Sequence, residues 1–310
     1  MTPHDLLASL ETLAEAPNGI QRLRELVLEL AVRGRLVEQE PGDEPASELL
    51  KRIKAQKARQ VKDGKLKRVK VPEPISHAEI PFELPKGWVW VRLTEAFLKI
   101  TDGTHHSPPN GPSGDFLYVT AKNIKSNGVL LAGATYVSEQ VHQEIYSRCN
   151  PEPGDILYIK DGATTGVVTV NDLTEPFSLL SSVGLLKTPE GIAPWFACFA
   201  IRSGFFFNQL RDQMTGVGIP RVTLSKLESA LFPVPPQAEQ HHISTRVDDL
   251  MALLDRLEVK RQGREGSHIG VWYRVRCTRP KFSQFLRIGI AFKLRNLIQL
   301  LFNRPNERLV

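Results

Sequence analysis

The sequence predicts a mixed α+β protein: a domain of short strands, flanked by long helices whose apolar residues repeat in heptads. Three observations lead there. Ile243, Val247, Leu250, Leu254 and Leu257 recur at spacings of four, three, four and three, the seam of a helix that needs a partner. Alternating runs such as Trp88-Val-Trp-Val-Arg-Leu, bounded by turn residues, read as strands. The aromatic-rich stretch from Ala193 to Leu210 reads as one buried helix lying against them.

Taken in order, Asn18-Gly19 signals a turn, and Ile20, Leu23, Val27 and Leu30 follow in a second heptad-spaced helix that ends near Gly34. Asp43-Glu44-Pro45 opens another, with carboxylates at its positive end, running through Leu49, Leu50 and Ile53 to about Gln60. Lys51 to Lys70 holds ten basic residues and one acidic. Its second half, from Lys62, has charge without apolar period, so it is a solvated arm or a phosphate-tracking one. Residues 1–70 thus form a helical region. Pro72, Pro74, Pro81 and Pro85 make residues 71–83 an extended linker.

The strand-rich domain covers residues 84–235. Asp115-Phe-Leu-Tyr-Val-Thr, Asp155-Ile-Leu-Tyr-Ile-Lys, Gly166-Val-Val-Thr-Val and Ser182-Val-Gly-Leu-Leu-Lys are its further strands, and Val222 to Leu227 is its last element. Phe232-Pro-Val-Pro-Pro then stops what precedes it, and Pro236 serves as a first helical residue. Within the long helix over 236–262, the stretch from Gln237 to Gln262 makes a rod of roughly 39 Å at about 1.5 Å per residue. Met251 and Leu253 widen its stripe beyond a two-helix seam, which predicts burial against another helix plus a domain or second protein. An ordinary amphipathic helix closing a globular domain is the alternative.

Composition is that of an ordinary soluble chain of 310 residues, 41% hydrophobic and 24% charged, with room for two cores. Cys149, Cys198 and Cys277 are widely spaced, which suggests neither a disulfide framework nor a zinc site and fits a reducing cytoplasm. The N-terminal residues have no basic region ahead of an apolar run, and no stretch of about 18 uncharged apolar residues occurs. The net charge is +6, but residues 263–310 alone carry +8 and residues 1–262 carry −2. Trp88 to Pro235 has eleven basic and thirteen acidic residues, so any nucleic acid must meet a local patch there rather than a global field.

Catalytic signatures are missing. Gly162-Ala-Thr-Thr-Gly166 lacks the lysine of a phosphate-binding loop, Asn150-Pro-Glu-Pro lacks the aromatic that holds a flipped adenine, and Glu258-Val-Lys260 sits inside the heptad helix as surface charge. Thr101-Asp-Gly-Thr-His-His-Ser-Pro-Pro-Asn-Gly is a turn-rich loop displaying Thr104, His105 and His106. Adjacent histidines rarely converge on one ion and no third ligand is near, so a polar recognition loop is preferred to a metal site. Lys122 and Asn123, then Lys160, Thr164 and Thr165, then Arg221 occupy three more loops, read as donors without carboxylates to neutralise them. Asn bonds adenine and Arg guanine bidentately, whereas Lys or Thr suits a phosphate oxygen. For each residue alone, a solvated loop position is an equal reading. His241-His242 opens the long helix facing solvent.

Together these stretches resemble the specificity subunit of a type I restriction-modification enzyme. The resemblance spans Ala16 to about Gln262 and rests on ordered pieces: Ala16-Pro-Asn-Gly-Ile, Asp43-Glu-Pro-Ala-Ser-Glu-Leu-Leu, Ile80-Pro-Phe-Glu-Leu-Pro-Lys-Gly-Trp88, Gly154-Asp-Ile-Leu-Tyr-Ile-Lys-Asp-Gly, and Pro235-Pro-Gln-Ala-Glu-Gln240 with its heptads. It implies a chain without a catalytic site of its own, whose target recognition domain reads half of a two-part site in double-stranded DNA. The heptad helices would form a coiled-coil-like spacer and dock methyltransferase subunits. S-adenosylmethionine would belong to those subunits, and ATP and Mg to the restriction subunit and the assembled complex. Two copies pairing through their heptads would restore a symmetric reader. A non-reading assembly scaffold and a fragment of a fused methyltransferase or nuclease are the alternatives. Composition changes abruptly at Gly263; residues 263–310 are read as a frameshifted or foreign tail, with a basic amphipathic helix over Phe282 to Phe302 as the other account.

Overall fold

A computed structural model describes residues 16–68, 71–211 and 221–265, the last three as backbone only. The expectations for Lys70, Cys277 and the tail beyond Glu265 lie outside the described residues. The chain divides into two compact units: residues 31–244, and the segments on either side of them.

Helix α1 (Gly19–Val32) starts where the Asn-Gly signal places it, with Asn18 in the left-handed region at φ 59°. Gly34 ends it at φ 62°, and a Cβ there would come within 2.4 Å of the Pro85 ring, so both conformation and space require glycine. Helix α2 (Ala46–Lys62) buries Ala46, Leu49 and Ile53. Its Lys57 ammonium reaches the carbonyls of Thr94 and Glu95. Only a short 3-10 turn, His77–Glu79, interrupts the proline-rich segment. That segment is nevertheless anchored, because the Phe82 ring packs edge-on against Trp90 at 5.0 Å and Phe205 at 5.3 Å.

The strand-rich unit holds β1 (Val89–Arg92), α3 (Leu93–Ala96), β2 (Lys99–Asp102), β3 (Phe116–Val119), β4 (Ile124–Lys125), β5 (Gly128–Val129), β6 (Thr135–Val137) and α4 (Glu139–Arg148). It continues through β7 (Ile156–Ile159), β8 (Val168–Val170), β9 (Phe177–Leu179), β10 (Val183–Lys187), α5 (Pro194–Arg202), α6 (Gly204–Arg211), α7 (Leu224–Ser229) and β11 (Leu231–Val234). A four-stranded sheet has the order β2-β10-β7-β8 and a three-stranded one β6-β3-β9, with β3 and β9 parallel. Val119, Ile124, Leu157, Ile159, Phe177 and Leu185 contribute to a shared buried cluster. β7 reads as an unbroken apolar run, and the burial pattern leaves none of β7, β8 or β9 half in water, although Thr169 and Ser178 interrupt the apolar residues of the latter two.

Three expectations are corrected. Phe232-Pro-Val lies within β11, fully buried and antiparallel to β1 with Pro233 opposite Trp90. A proline fits there because β1 and β11 form a two-stranded sheet, so one edge of β11 carries no ladder. The single helix expected from Ala193 to Leu210 is two, α5 and α6, parted at buried Ser203, whose hydroxyl accepts the Phe206 N–H and donates to the Ala200 carbonyl. Finally, the domain's last element is β11, after α7, rather than the stretch ending at Leu227.

The long helix α8 (Gln237–Glu265) begins with two buried polar residues. Glu239 accepts from Trp88 Nε1 at 2.8 Å and Gln39 Nε2 at 2.6 Å. Gln240 accepts from the Ala193 N–H at 2.7 Å and donates to the Pro235 carbonyl. Farther along, Ile243, Val247, Leu250 and Leu254 are buried while Leu257, Met251 and Leu253 are half-buried. In the unit outside residues 31–244, Ile20, Leu23, Val27 and Leu30 are buried as well. There Arg24 ties α1 to α8, its Nη2 lying 2.6 Å from both Asp255 and Glu258.

Burial raises the Glu239 carboxyl above its ordinary 4.5, against the opposing hydrogen bonds from Trp88 and Gln39. The folded chain therefore holds this proton more tightly than the unfolded one. The group's contribution to stability is complete below the ordinary value and is lost as pH rises through the folded pKa. Glu239→Gln, which stays neutral, is expected to flatten that decline. Urea titrations from about pH 4 to about pH 7 check it, the wild type losing stability relative to the variant as pH rises.

Candidate nucleic-acid interface

The loop after β2 is locked to the strands beside it. A Cβ on Gly103 would stand 1.8 Å from the Leu179 carbonyl oxygen, so the backbone passes where only glycine fits. Thr104 donates its N–H to Leu179 and accepts from the Ser181 N–H at 2.8 Å, which makes an isolated parallel bridge with Leu180, just past β9. Thr104 is itself buried, with its hydroxyl donating to the His106 carbonyl at 3.1 Å. His105 and His106 are exposed.

Asp102, at the end of β2, is the hub of this region. Its side chain is 3% exposed and accepts from His105 Nε2 at 3.1 Å and from Arg148 Nη2 at 2.8 Å. Its second oxygen lies 3.3 Å from the Lys160 ammonium. Arg148, the last residue of α4, also donates to the Asp102 and Gly103 carbonyls. Lys160 is as buried as Asp102 and reaches Asp161 at 3.3 Å. Asp161 in turn sits 3.2 Å from Arg221 Nε, and the two backbones form an antiparallel bridge. Three sequence-marked residues, His105, Lys160 and Arg221, thus come together through two aspartates, Asp102 and Asp161.

This corrects one expectation. The loops do contain carboxylates that neutralise their cations, Asp102 and Asp161 among them. The signal was present in the residues adjoining Gly103 and Lys160, but spacing alone does not bring positions 102, 148 and 160 together. Of the other loop donors, Thr164 is exposed, whereas Thr165 turns its hydroxyl back to the Gly162 carbonyl at 2.7 Å.

Asn123 is likewise spent internally. Its Oδ1 accepts from the Thr120 N–H at 3.0 Å and from the Thr120 hydroxyl, and its Nδ2 donates to the Leu130 carbonyl at 3.1 Å. The adjoining Lys122 is exposed at the rim of a recess of about 350 Å³ that Asn110, Tyr118, Leu180 and Ser182 also line. Lys160 donates its N–H to the Ser182 carbonyl at 2.9 Å. The Leu180–Ser182 turn, where the sequence offers only a strand start at Ser182, therefore hydrogen-bonds Thr104 and Lys160 and lines the recess beside Lys122. Among the described residues, no group of three or more His, Cys, Asp or Glu gathers to hold a metal ion.

A family profile described as "Type I restriction modification DNA specificity domain" matches residues 85–262, more than half of the chain. The chain belongs to that family. The type I restriction enzyme EcoAI specificity subunit of Escherichia coli is 33% identical over 262 residues, covering 80% of this chain and 42% of that protein. The EcoEI specificity subunit, also from Escherichia coli, is 35% identical over 252 residues, covering 77% and 40%. The chain thus spans about two fifths of the length of these curated relatives. Among solved structures, the HsdS subunit from Thermoanaerobacter tengcongensis aligns over 83% of this chain and 52% of its own, at 17% identity and a TM-score of 0.41.

Because Asn123 satisfies buried backbone and hydroxyl groups at three points, Asn123→Ala is expected to cost about 1 to 3 kcal/mol of stability. Urea denaturation of the purified chain measures it; a midpoint unchanged from wild type would contradict the structural role.

Proposed function

We propose that this specificity-family chain reads one half of a bipartite site in double-stranded DNA and hands that address to methyltransferase subunits. The observation that carries the reading is spatial. Within the span matched by the family profile, exposed His105, His106, Lys122, Thr164 and Arg221 come from four loops that converge around one β-turn. Such side chains suit base edges and phosphates, and no catalytic constellation is asked of them.

In this reading the heptad stripes of α1 and α8 form a coiled-coil-like spacer. Twenty-nine residues make a rod of roughly 43 Å at about 1.5 Å per residue, somewhat more than one DNA turn of about 34 Å. The spacer would dock the methyltransferase subunits and, through the assembled complex, the restriction subunit; pairing of two copies would supply a second reading head. The chain itself would need no cofactor, with S-adenosylmethionine, ATP and Mg held by its partners in the cytoplasm. No helix among the described residues is long and apolar enough to cross a membrane.

Methylome sequencing of cells expressing this chain with its methyltransferase subunits tests the reading. A split motif with an unread spacer is expected; a continuous motif, or none, would sink it. On the motif so found, Lys122→Ala is expected to weaken binding evenly across sequences and to reduce the salt slope by about 1. Arg221→Ala is expected to relax discrimination at one position, by about 1 to 3 kcal/mol in competition binding.

A further inference from the structure

We infer that Asp102 and Lys160 form a buried positioning pair that sets the DNA-facing loops relative to one another, and that Lys160 does not itself contact DNA. The inference rests on the DNA-reading role proposed above and adds how that role is held in place. Both side chains are 3% exposed, so an ammonium that sequence alone assigns to phosphate is turned inward. The pair stands at the centre of a connected set. Asp102 holds His105 of one loop and Arg148 of α4, while Lys160 reaches Asp161, which holds Arg221 of another.

The same residues are stitched by backbone. Val222 donates to the Lys160 carbonyl at 2.8 Å, Lys160 to Ser182 at 2.9 Å, and Ser181 to Thr104 at 2.8 Å. Loops carrying His105, Thr164 and Arg221 therefore meet at one ionic centre instead of moving separately. With Asp102 and Asp161 against Lys160, Arg148 and Arg221, the cluster keeps an excess of one positive charge before His105 is counted. Most of its charge is spent on geometry. Removing one member of such a pair leaves a buried charge uncompensated, whereas removing both with isosteric neutral groups spares the fold. The double variant is therefore the informative one.

The test uses the full chain carrying Asp102→Asn together with Lys160→Met. Hydrogen exchange of the DNA-free protein should show protection at the Thr104, Ser181 and Val222 amides falling tenfold or more, with amides of β7 and β10 unchanged. On DNA, the ratio of specific to non-specific affinity should fall at least tenfold while the salt slope on non-specific duplex stays the same. Unchanged loop protection would overturn the inference, and so would equal loss across β7 and β10, which marks a general stability role. A salt slope reduced by about 1 with the affinity ratio intact would make Lys160 a phosphate contact and overturn it as well. Wild-type chain with no sequence preference would defeat the DNA-reading role instead, while the exchange data would still decide whether the pair sets the loops.

Discussion

The buried start of α8 is the joint on which the strand-rich unit depends. Glu239 is 2% exposed, and its two oxygens are taken by Trp88, which leads into β1, and by Gln39, beyond α1. Gln240 accepts the N–H of Ala193, the residue just before α5. The Trp88 ring meets Phe196 edge-on, Phe196 meets Phe232 of β11, and Phe232 meets Phe97 after α3. One helical turn thus gathers segments 47, 151 and 200 positions away in sequence. An uncompensated carboxylate in that place would be costly. Two direct donors make it tolerable, and the same requirement fixes where each donor's element must sit.

From that joint outward, the domain solves a second problem, how to project polar loops from strands with no solvated face. β7, β8 and β9 are wholly buried, Thr169 and Ser178 included, so the polar loops leave from strand ends. Asp102, Lys160 and the Leu180–Ser182 turn lie at such ends, and the loops leave the core there. Gly103 lets the chain pass against Leu179, and an isolated parallel bridge between Thr104 and Leu180 then ties the loop to the end of β9. Tertiary hydrogen bonds, rather than local propensity, decide the loop's course.

The sequence made the helices and several central strands readable because their periods are long or their apolar runs unbroken. Ile20 to Leu30 and Ile243 to Leu254 are buried in the pattern their spacing implies. Strands such as β4, β5, β6 and β9, of two or three residues each, carry no period to detect, and β9 is made a strand by parallel pairing with β3 some sixty positions earlier. Pro233 misled for a related reason: a proline forbids a ladder bond, and whether one is needed depends on which edge is free. At the candidate interface, residue types were legible but their employment was not. Asn123 and Lys160 look like ligand donors in one dimension; in three, one closes a turn and the other faces Asp102.

That internal use of charge bears on how a nearly neutral domain would discriminate among DNA sequences in the role proposed for it. A strong positive field attracts every duplex alike, since phosphate contacts carry no sequence information. Here eleven basic residues between Trp88 and Pro235 face thirteen acidic ones, and several of the cations, Lys160, Arg148 and Arg221 among them, already have carboxylate partners. In the proposed role, the mutual geometry of the exposed donors, Arg221 included, would do the selecting. A displacement of an ångström between loops would cost a base contact its directionality. A buried ion pair beneath those loops spends charge on fixed spacing rather than on general attraction, and in the proposed role the bulk of the grip on DNA would fall to partner subunits.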